Sequence, residues 1–308
     1  MKKSILVLYY SQSGQLGDIL NNLTADIKAE ADIDIVKYEP EQDYPFPWKS
    51  DKFFDAMPEC VARVPSPIKP IPQNILDKEY DLVILGYQPW FLSPSQPTTS
   101  FLKSQYASLL KGRPVVTVIG CRNMWLNGQE CVKEDIINAG GKLVGNIVLM
   151  DTHPNLVALF TIIRWAFKGQ KEASGILPEA GVSTEDIGLA TRFGQPILDH
   201  LNNNKLGELQ AHLLDKGAIT MKPGLIILER RGITNFRKFA KYIREKGGPG
   251  DPNRKSRVKL FQRLLMLGIF VLSPISNLTA FIQLQLQKRN LIKDVEYYKG
   301  IDYEEGRL

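Results

Sequence analysis

Six residues, Ser11-Gln12-Ser13-Gly14-Gln15-Leu16, stand between a continuous apolar run and an amphipathic one, and their types suit an anion. Backbone N–H groups at a helix start attract a phosphate, small hydroxyls add donors, and a glycine lets the main chain come close. No Gly-Lys-Ser/Thr follows, which excludes a Walker loop, and Gly14 with Gly17 does not complete GxGxxG. Without a lysine, the turn suits a phosphate monoester held by backbone and hydroxyl donors. Taken alone, the same residues also describe an ordinary strand-to-helix turn with a serine cap.

Two further segments carry polar and aromatic groups together. One is Tyr87-Gln88-Pro89-Trp90-Phe91-Leu92-Ser93-Pro94-Ser95-Gln96-Pro97, and the other is Gly120-Cys121-Arg122-Asn123-Met124-Trp125-Leu126-Asn127-Gly128. Each follows an apolar run, so both leave the carboxyl ends of strands neighbouring the first and converge with the serine turn on one crevice. Aromatic faces and backbone amides there suit a planar redox ring. Singly, Trp90, Phe91 and Trp125 also read as packing. The three histidines (His153, His200, His212) make no metal spacing, and Cys60, Cys121 and Cys131 are too few and too scattered for a disulfide framework.

The elements that position these loops are legible as alternation. Ser4–Tyr10, Ile33–Tyr38, Asp81–Gly86, Pro114–Ile119 and Leu143–Leu149 are short apolar, β-branched runs, the pattern of strands buried on both faces. Helical spacing separates them over Leu16–Ile27, Thr98–Leu110 and Gln129–Ala139, the last stopped by Gly140-Gly141. The expectation is an α/β chain with a five-stranded, doubly wound parallel sheet of the flavodoxin type. Its domain spans residues 1–201, closed by a helical segment from Ser183 to Leu201 and interrupted by a helical insertion at about 152–182. Residues 202–308 form a helical basic extension. Residues 40–75, crowded with Pro and aromatics, form a long connection over the site or the sheet edge. With 308 residues, 44% hydrophobic and 23% charged, the composition is globular and excludes disordered, collagen-like and polytopic membrane chains. Met1-Lys2-Lys3 and the short run after it read as a first strand rather than a signal peptide.

Charge is concentrated. Residues 229–263 hold twelve Lys/Arg against three carboxylates, a net +9 within a chain of net +6, which leaves −3 elsewhere. Leu264–Ile282 then runs nineteen residues without a charge, interrupted by Gly268, Pro274 and polar residues. A helix of that length reaches about 28 Å, near the lower limit for a span. The interruptions favour an interfacial helix pair, and the basic window favours an anionic membrane surface contacted through residues 229–289 rather than nucleic acid. A helix packed on the core is the alternative.

Val7–Gly14 and the two loops resemble the FMN sites of flavodoxin-like proteins, with Leu16 where flavodoxins usually place a phosphate-binding Thr. Tyr9-Tyr10-Ser11-Gln12-Ser13-Gly14-Gln15-Leu16, Tyr44-Pro45-Phe46-Pro47-Trp48, Tyr87–Ser95 and Gly120–Trp125 resemble, more closely, the dialkylresorcinol-biosynthesis aromatase family, often labelled dialkylresorcinol condensing enzyme. That resemblance implies an FMN oxidoreductase that oxidises a dialkyl-cyclohexane-1,3-dione to a dialkylresorcinol for flexirubin and aryl-polyene lipids. The sparse cysteines suit a reducing cytoplasm, and the basic tail a peripheral place at the inner membrane. A separate ketosynthase makes the lipid-like dione, and no thiolase-type Cys/His/Asn arrangement is present here. FMN is then expected on Ser11, Gln12, Ser13, Gly14, Gln15, Leu16, Gln88, Pro89, Trp90, Phe91, Gly120, Cys121 and Trp125. Arg122 and Asn123 are candidates to hold the enolate oxygen, and His153 or Tyr87 to take the proton. Two other readings use the same residues: an FMN electron-transfer protein or NAD(P)H:quinone reductase, and a non-enzymatic flavodoxin-like membrane scaffold.

Overall fold

The protein is described by a computed structural model over residues 2–269 and 286–307. Its strands, in chain order, are β1 (Ser4–Tyr9), β2 (Asp32–Lys37), β3 (Leu82–Tyr87), a two-residue ribbon of β4 (Pro89–Trp90) with β5 (Ser93–Pro94), β6 (Pro114–Cys121) and β7 (Lys142–Met150). The long strands form one sheet in the order β2-β1-β3-β6-β7, all pairs parallel. All six residues of central β3 are buried, as a strand covered on both faces must be, whereas edge strand β2 mixes three charged with three apolar residues, none of them buried. This strand order makes the fold flavodoxin-like, with its switch point between the carboxyl ends of β1 and β3. The expected strands are found within one or two residues of their expected ends.

Helix α1 (Gln15–Ala25) packs Leu16, Ile19, Leu20 and Leu23 on the sheet, because these recur at helical spacing. The long connection holds a helix that proline crowding concealed, α2 (Ser50–Val61), and the short α3 (Gln73–Leu76). The helix expected over Thr98–Leu110 is α4 (Gln96–Leu102) and a separate 3-10 turn, Gln105–Leu110, capped by Ser104. Then follow α5 (Leu126–Asn138), α6 (Asn155–Lys168) in the insertion, α7 (Thr184–Gly188) capped by Ser183, and α8 (Gly194–Asn202).

Among the described residues beyond 202 the chain is largely helical, and it is bound into the sheet rather than hung from it. Helix α9 (Leu209–Asp215) places Leu209 and Leu213 in the main core and lies along β7, where Asn146 N donates to Gln210 Oε1 at 2.7 Å and Val148 N to Ala218 O at 2.8 Å. The free edge of the sheet is thereby covered. Helix α10 (Pro223–Arg244) joins Ile226 and Ile227 to the same core, and its far half forms a second cluster with α2 and with α11 (Lys255–Leu267) around Phe54, Met57, Ile233 and Phe261. The fully buried Arg254 fastens this cluster. Its Nε donates to Asp55 Oδ1 at 2.7 Å, and Nη1 and Nη2 fork onto Glu59 at 2.8 and 2.9 Å. Helix α12 (Lys288–Lys299) returns Leu291 and Tyr298 to the main core. Among the described residues no helix is long and apolar enough to cross a membrane. Of the charge-free stretch Leu264–Ile282, residues 270–282 lie outside the described residues.

Candidate active site at the carboxyl ends of the strands

The turn after β1 has the properties its residue types suggest. Among the described residues, none of the backbone N–H groups of residues 12–17 has an acceptor, since the first helical bond is Asp18 N to Gly14 O at 3.1 Å. Gly14 takes φ +90°, which a side chain would resist, and no atom lies within 4 Å of where its Cβ would stand. The Ser11 hydroxyl is buried without a partner. A row of unused donors at a helix start, with an orphaned hydroxyl beside it, fits a phosphate. Two side chains serve otherwise than expected. Leu16 is buried and supplies only its amide, and Gln15 is committed to the insertion, with Nε2 to Val182 O at 3.0 Å and Oε1 to Val182 N at 3.2 Å.

Beside the turn lies a cavity of about 340 Å³, within the range of small-ligand sites. Gln12, Ser13, Gln15, Leu16, Gln88, Pro89, Trp90, Phe91, Gly120, Cys121 and Arg122 line it, so three strand-end loops do converge. The long connection covers the site, one of its two expected places, and the rest of the wall was not read from the sequence. Phe46, Trp48 and Phe53 come from the long connection, Ile162, Trp165 and Gly181 from the insertion, and Phe236, Leu265 and Ile269 from the extension. Trp90 meets Tyr44, Trp48 and Tyr10 edge-on at 5.0, 5.3 and 5.9 Å. Phe91 sits at the tip of the β4–β5 ribbon, where Phe91 and Leu92 both have positive φ (49° and 63°), the pair required by a tight primed hairpin turn. For non-glycine residues this is unfavourable by about 1–2 kcal/mol each. The turn is held by Asn127 Nδ2 on Leu92 O at 2.7 Å, by Arg237 on Asn127 Oδ1 at 2.9 Å, and by Phe53 against Phe91 at 4.7 Å.

Among the described residues, Arg122 is the one charged side chain on this wall. Nη1 donates to Asn155 Oδ1 at 2.9 Å, and no carboxylate among the described residues lies within 4.0 Å of the guanidinium. Burial draws its pKa below the ordinary arginine value, opposed by the acidic groups around it. Burial pushes the thiol of Cys121 beside it well up, which disfavours the thiolate.

Four expected residues stand elsewhere. Tyr87 ends the central strand and is fully buried, its hydroxyl donating to Gln129 Oε1 of α5 at 2.6 Å, and burial raises its pKa far above the usual phenol value. His153 is folded back on its own loop, with Nδ1 2.7 Å and the backbone N 2.9 Å from Asp151 Oδ1, and it does not line the cavity. Asn123 turns to Asn155 Oδ1 at 2.8 Å. Trp125, at the N-cap of α5, packs beside Met150 and Ile226 behind the site. Behind the site too lies Glu229 of α10, fully buried, accepting from Asn127 N at 2.9 Å. Burial pushes its carboxyl up to about 8, although the amides of Asn127, Leu126 and Trp125 pull the other way.

The wall therefore offers donors for an anionic head, apolar aromatic faces for a planar body and one guanidinium for an oxyanion. Among the described residues it offers no carboxylate and no imidazole. No metal-holding cluster exists among the described residues.

No family profile and no curated protein matches the chain. Among solved structures, it is similar to a candidate flavoprotein of Bacteroides eggerthii DSM 20697, at 20% identity and TM-score 0.40 over 53% of this chain and 98% of that one. It is also similar to a flavodoxin from the domain Archaea, at 12% identity and TM-score 0.36 over 65% and 99%. A third is RosB with its bound intermediate 8-demethyl-8-formylriboflavin-5'-phosphate, at 10% identity and TM-score 0.35 over 71% and 91%. At these values the fold rests on the strand order itself.

Proposed function

We propose that this chain is an FMN-dependent oxidoreductase that oxidises a dialkyl-cyclohexane-1,3-dione to a dialkylresorcinol. One observation carries the reading: unused amides at a helix start open beside an apolar aromatic cavity that holds a lone guanidinium and no base. The first part fits the phosphate of FMN, which Ser11, Gln12, Ser13, Gly14 and the amides of Gln15 and Leu16 would hold. The loops at Gln88–Phe91 and Gly120–Cys121 would flank its ring. When bound, FMN supplies a ring that accepts two electrons as a hydride.

The second part supports the choice of substrate. Aromatising a cyclohexane-1,3-dione breaks two C–H bonds on adjacent carbons, one leaving as a proton and one as a hydride. The carbon between the two carbonyls enolises without a strong base, so a dione can enter as its enolate. The proton and hydride of the oxidation then leave the adjacent C4 and C5, the C4 proton, beside one carbonyl, passing to water. Arg122 holds the resulting enolate oxygen, and Asn155 keeps the guanidinium aimed. Trp48, Phe53, Trp90 and Phe236 exclude water, which strengthens that charge contact. The apolar rim at Leu265 and Ile269 accepts alkyl chains. An electron carrier needs no such roof of helices α2, α6, α10 and α11.

The test is the purified full-length protein. It should take up FMN, and anaerobic mixing with a cyclohexane-1,3-dione bearing two alkyl chains should bleach the flavin and release the resorcinol. Arg122→Ala should keep FMN and slow the bleaching by about 10²-fold. A protein that refuses FMN overturns the reading. So does a flavin that stays oxidised with the dione yet cycles between NADPH and a quinone.

A further inference from the structure

Helix α11 has three distinct faces. Val258, Phe261 and Leu265 turn inward, the first two into the cluster with α2 and α10, the third onto the cavity wall. Leu260, Leu264 and Leu267, spaced one turn apart, are exposed by 42, 42 and 47%. Lys255, Lys259 and Arg263 form a second exposed row beside them, and among the described residues none of the three pairs with a carboxylate. An exposed leucine row is unfavourable in water, and unpaired cations beside it fix what kind of surface can cover it.

We infer that the outer face of α11 docks on an anionic lipid surface, leucines inserted among the acyl chains and the Lys255–Lys259–Arg263 row on the headgroups. Charge complementarity selects the occupant. A second copy of the chain, itself of net charge +6, would bring like charge to the same row. The geometry is that of an interfacial helix, with an apolar stripe flanked by bases. Because the opposite face of the same helix lines the cavity through Leu265, docking sets the cavity rim at the lipid boundary. The inference does not rest on the flavin reading, since it uses only the exposed side of α11.

Flotation of the full-length protein with vesicles tests it, using equal parts phosphatidylglycerol and phosphatidylcholine against phosphatidylcholine alone. Binding should require the anionic lipid and weaken with salt. Lys259→Glu with Arg263→Glu should lower affinity roughly fivefold or more per cation altered. Leu260→Glu with Leu264→Glu should abolish flotation, while thermal melting and FMN uptake, read in parallel, match the unaltered protein. The inference is overturned if neutral and anionic vesicles bind alike, if neither binds, or if both double variants float like the parent. It is also overturned if light scattering shows a vesicle-free dimer that the leucine variant separates.

Discussion

Glu229 offers the sharpest test of how the extension is joined to the sheet. Its carboxyl is fully buried against the start of α5, and its pKa rises from 4.5 to about 8 because burial outweighs the three amides that face it. Below the unfolded value both states are protonated and the group has no influence on stability. Between there and about 8 the unfolded chain releases the proton while the native chain retains it, so stability falls as pH rises, and it levels off above the native value. At 1.36 kcal/mol per unit, the loss is on the order of 5 kcal/mol. Glu229→Gln keeps an acceptor for Asn127 N but does not titrate. Urea denaturation of both proteins at several pH values between 5 and 8.5 isolates the effect, because every other titrating group cancels in the difference. The expected result is a difference that moves steadily in favour of the Gln variant as pH rises to about 8 and is then constant. Parallel stability curves would show that the carboxyl is solvated or paired in the native protein, and the packing of α10 on α5 would need another description.

Three further outcomes follow. Arg254→Ala leaves Asp55 without its cation and the buried Glu59 with only Arg244 at 3.7 Å, and should cost about 3–5 kcal/mol in a denaturant titration, with Arg254→Lys recovering part. Gly14→Val forces a side chain onto φ +90° at about 1–2 kcal/mol, so FMN affinity should fall about tenfold or more by fluorescence titration, while that of riboflavin, which lacks the phosphate, should hold. Tyr87→Phe removes one buried hydrogen bond to Gln129, so melting should register a loss of about 1 kcal/mol while dione turnover is unchanged.

The sheet was legible because a strand buried on both faces must be apolar throughout, and runs such as Leu82–Leu85 or Val115–Ile119 leave little choice. The serine turn was legible for a related reason: a glycine with positive φ and small hydroxyls before an amphipathic helix are local features. What escaped was the helix within the long connection and the rest of the roof. Helix α2 carries Phe53, Phe54, Met57 and Val61 at helical spacing, a signal that the surrounding prolines and Pro58 inside the helix obscured. Phe236, Leu265 and Trp165 reach the cavity from segments far along the chain, and no local pattern reports such an encounter. The same limit displaced His153 and Tyr87. Their sequence positions at strand ends are right, but a two-residue bond to Asp151 and a contact to α5 turn the side chains away.

The cavity wall runs from Gln12 to Ile269 in the chain, with Gln15 clasped to Val182 across its middle. A ribosome adding about 5–20 residues each second needs roughly 10–50 s to travel that distance. The first-made part of the wall therefore waits, with its amides hydrated, until residue 269 has emerged, and the cavity is complete only from that point.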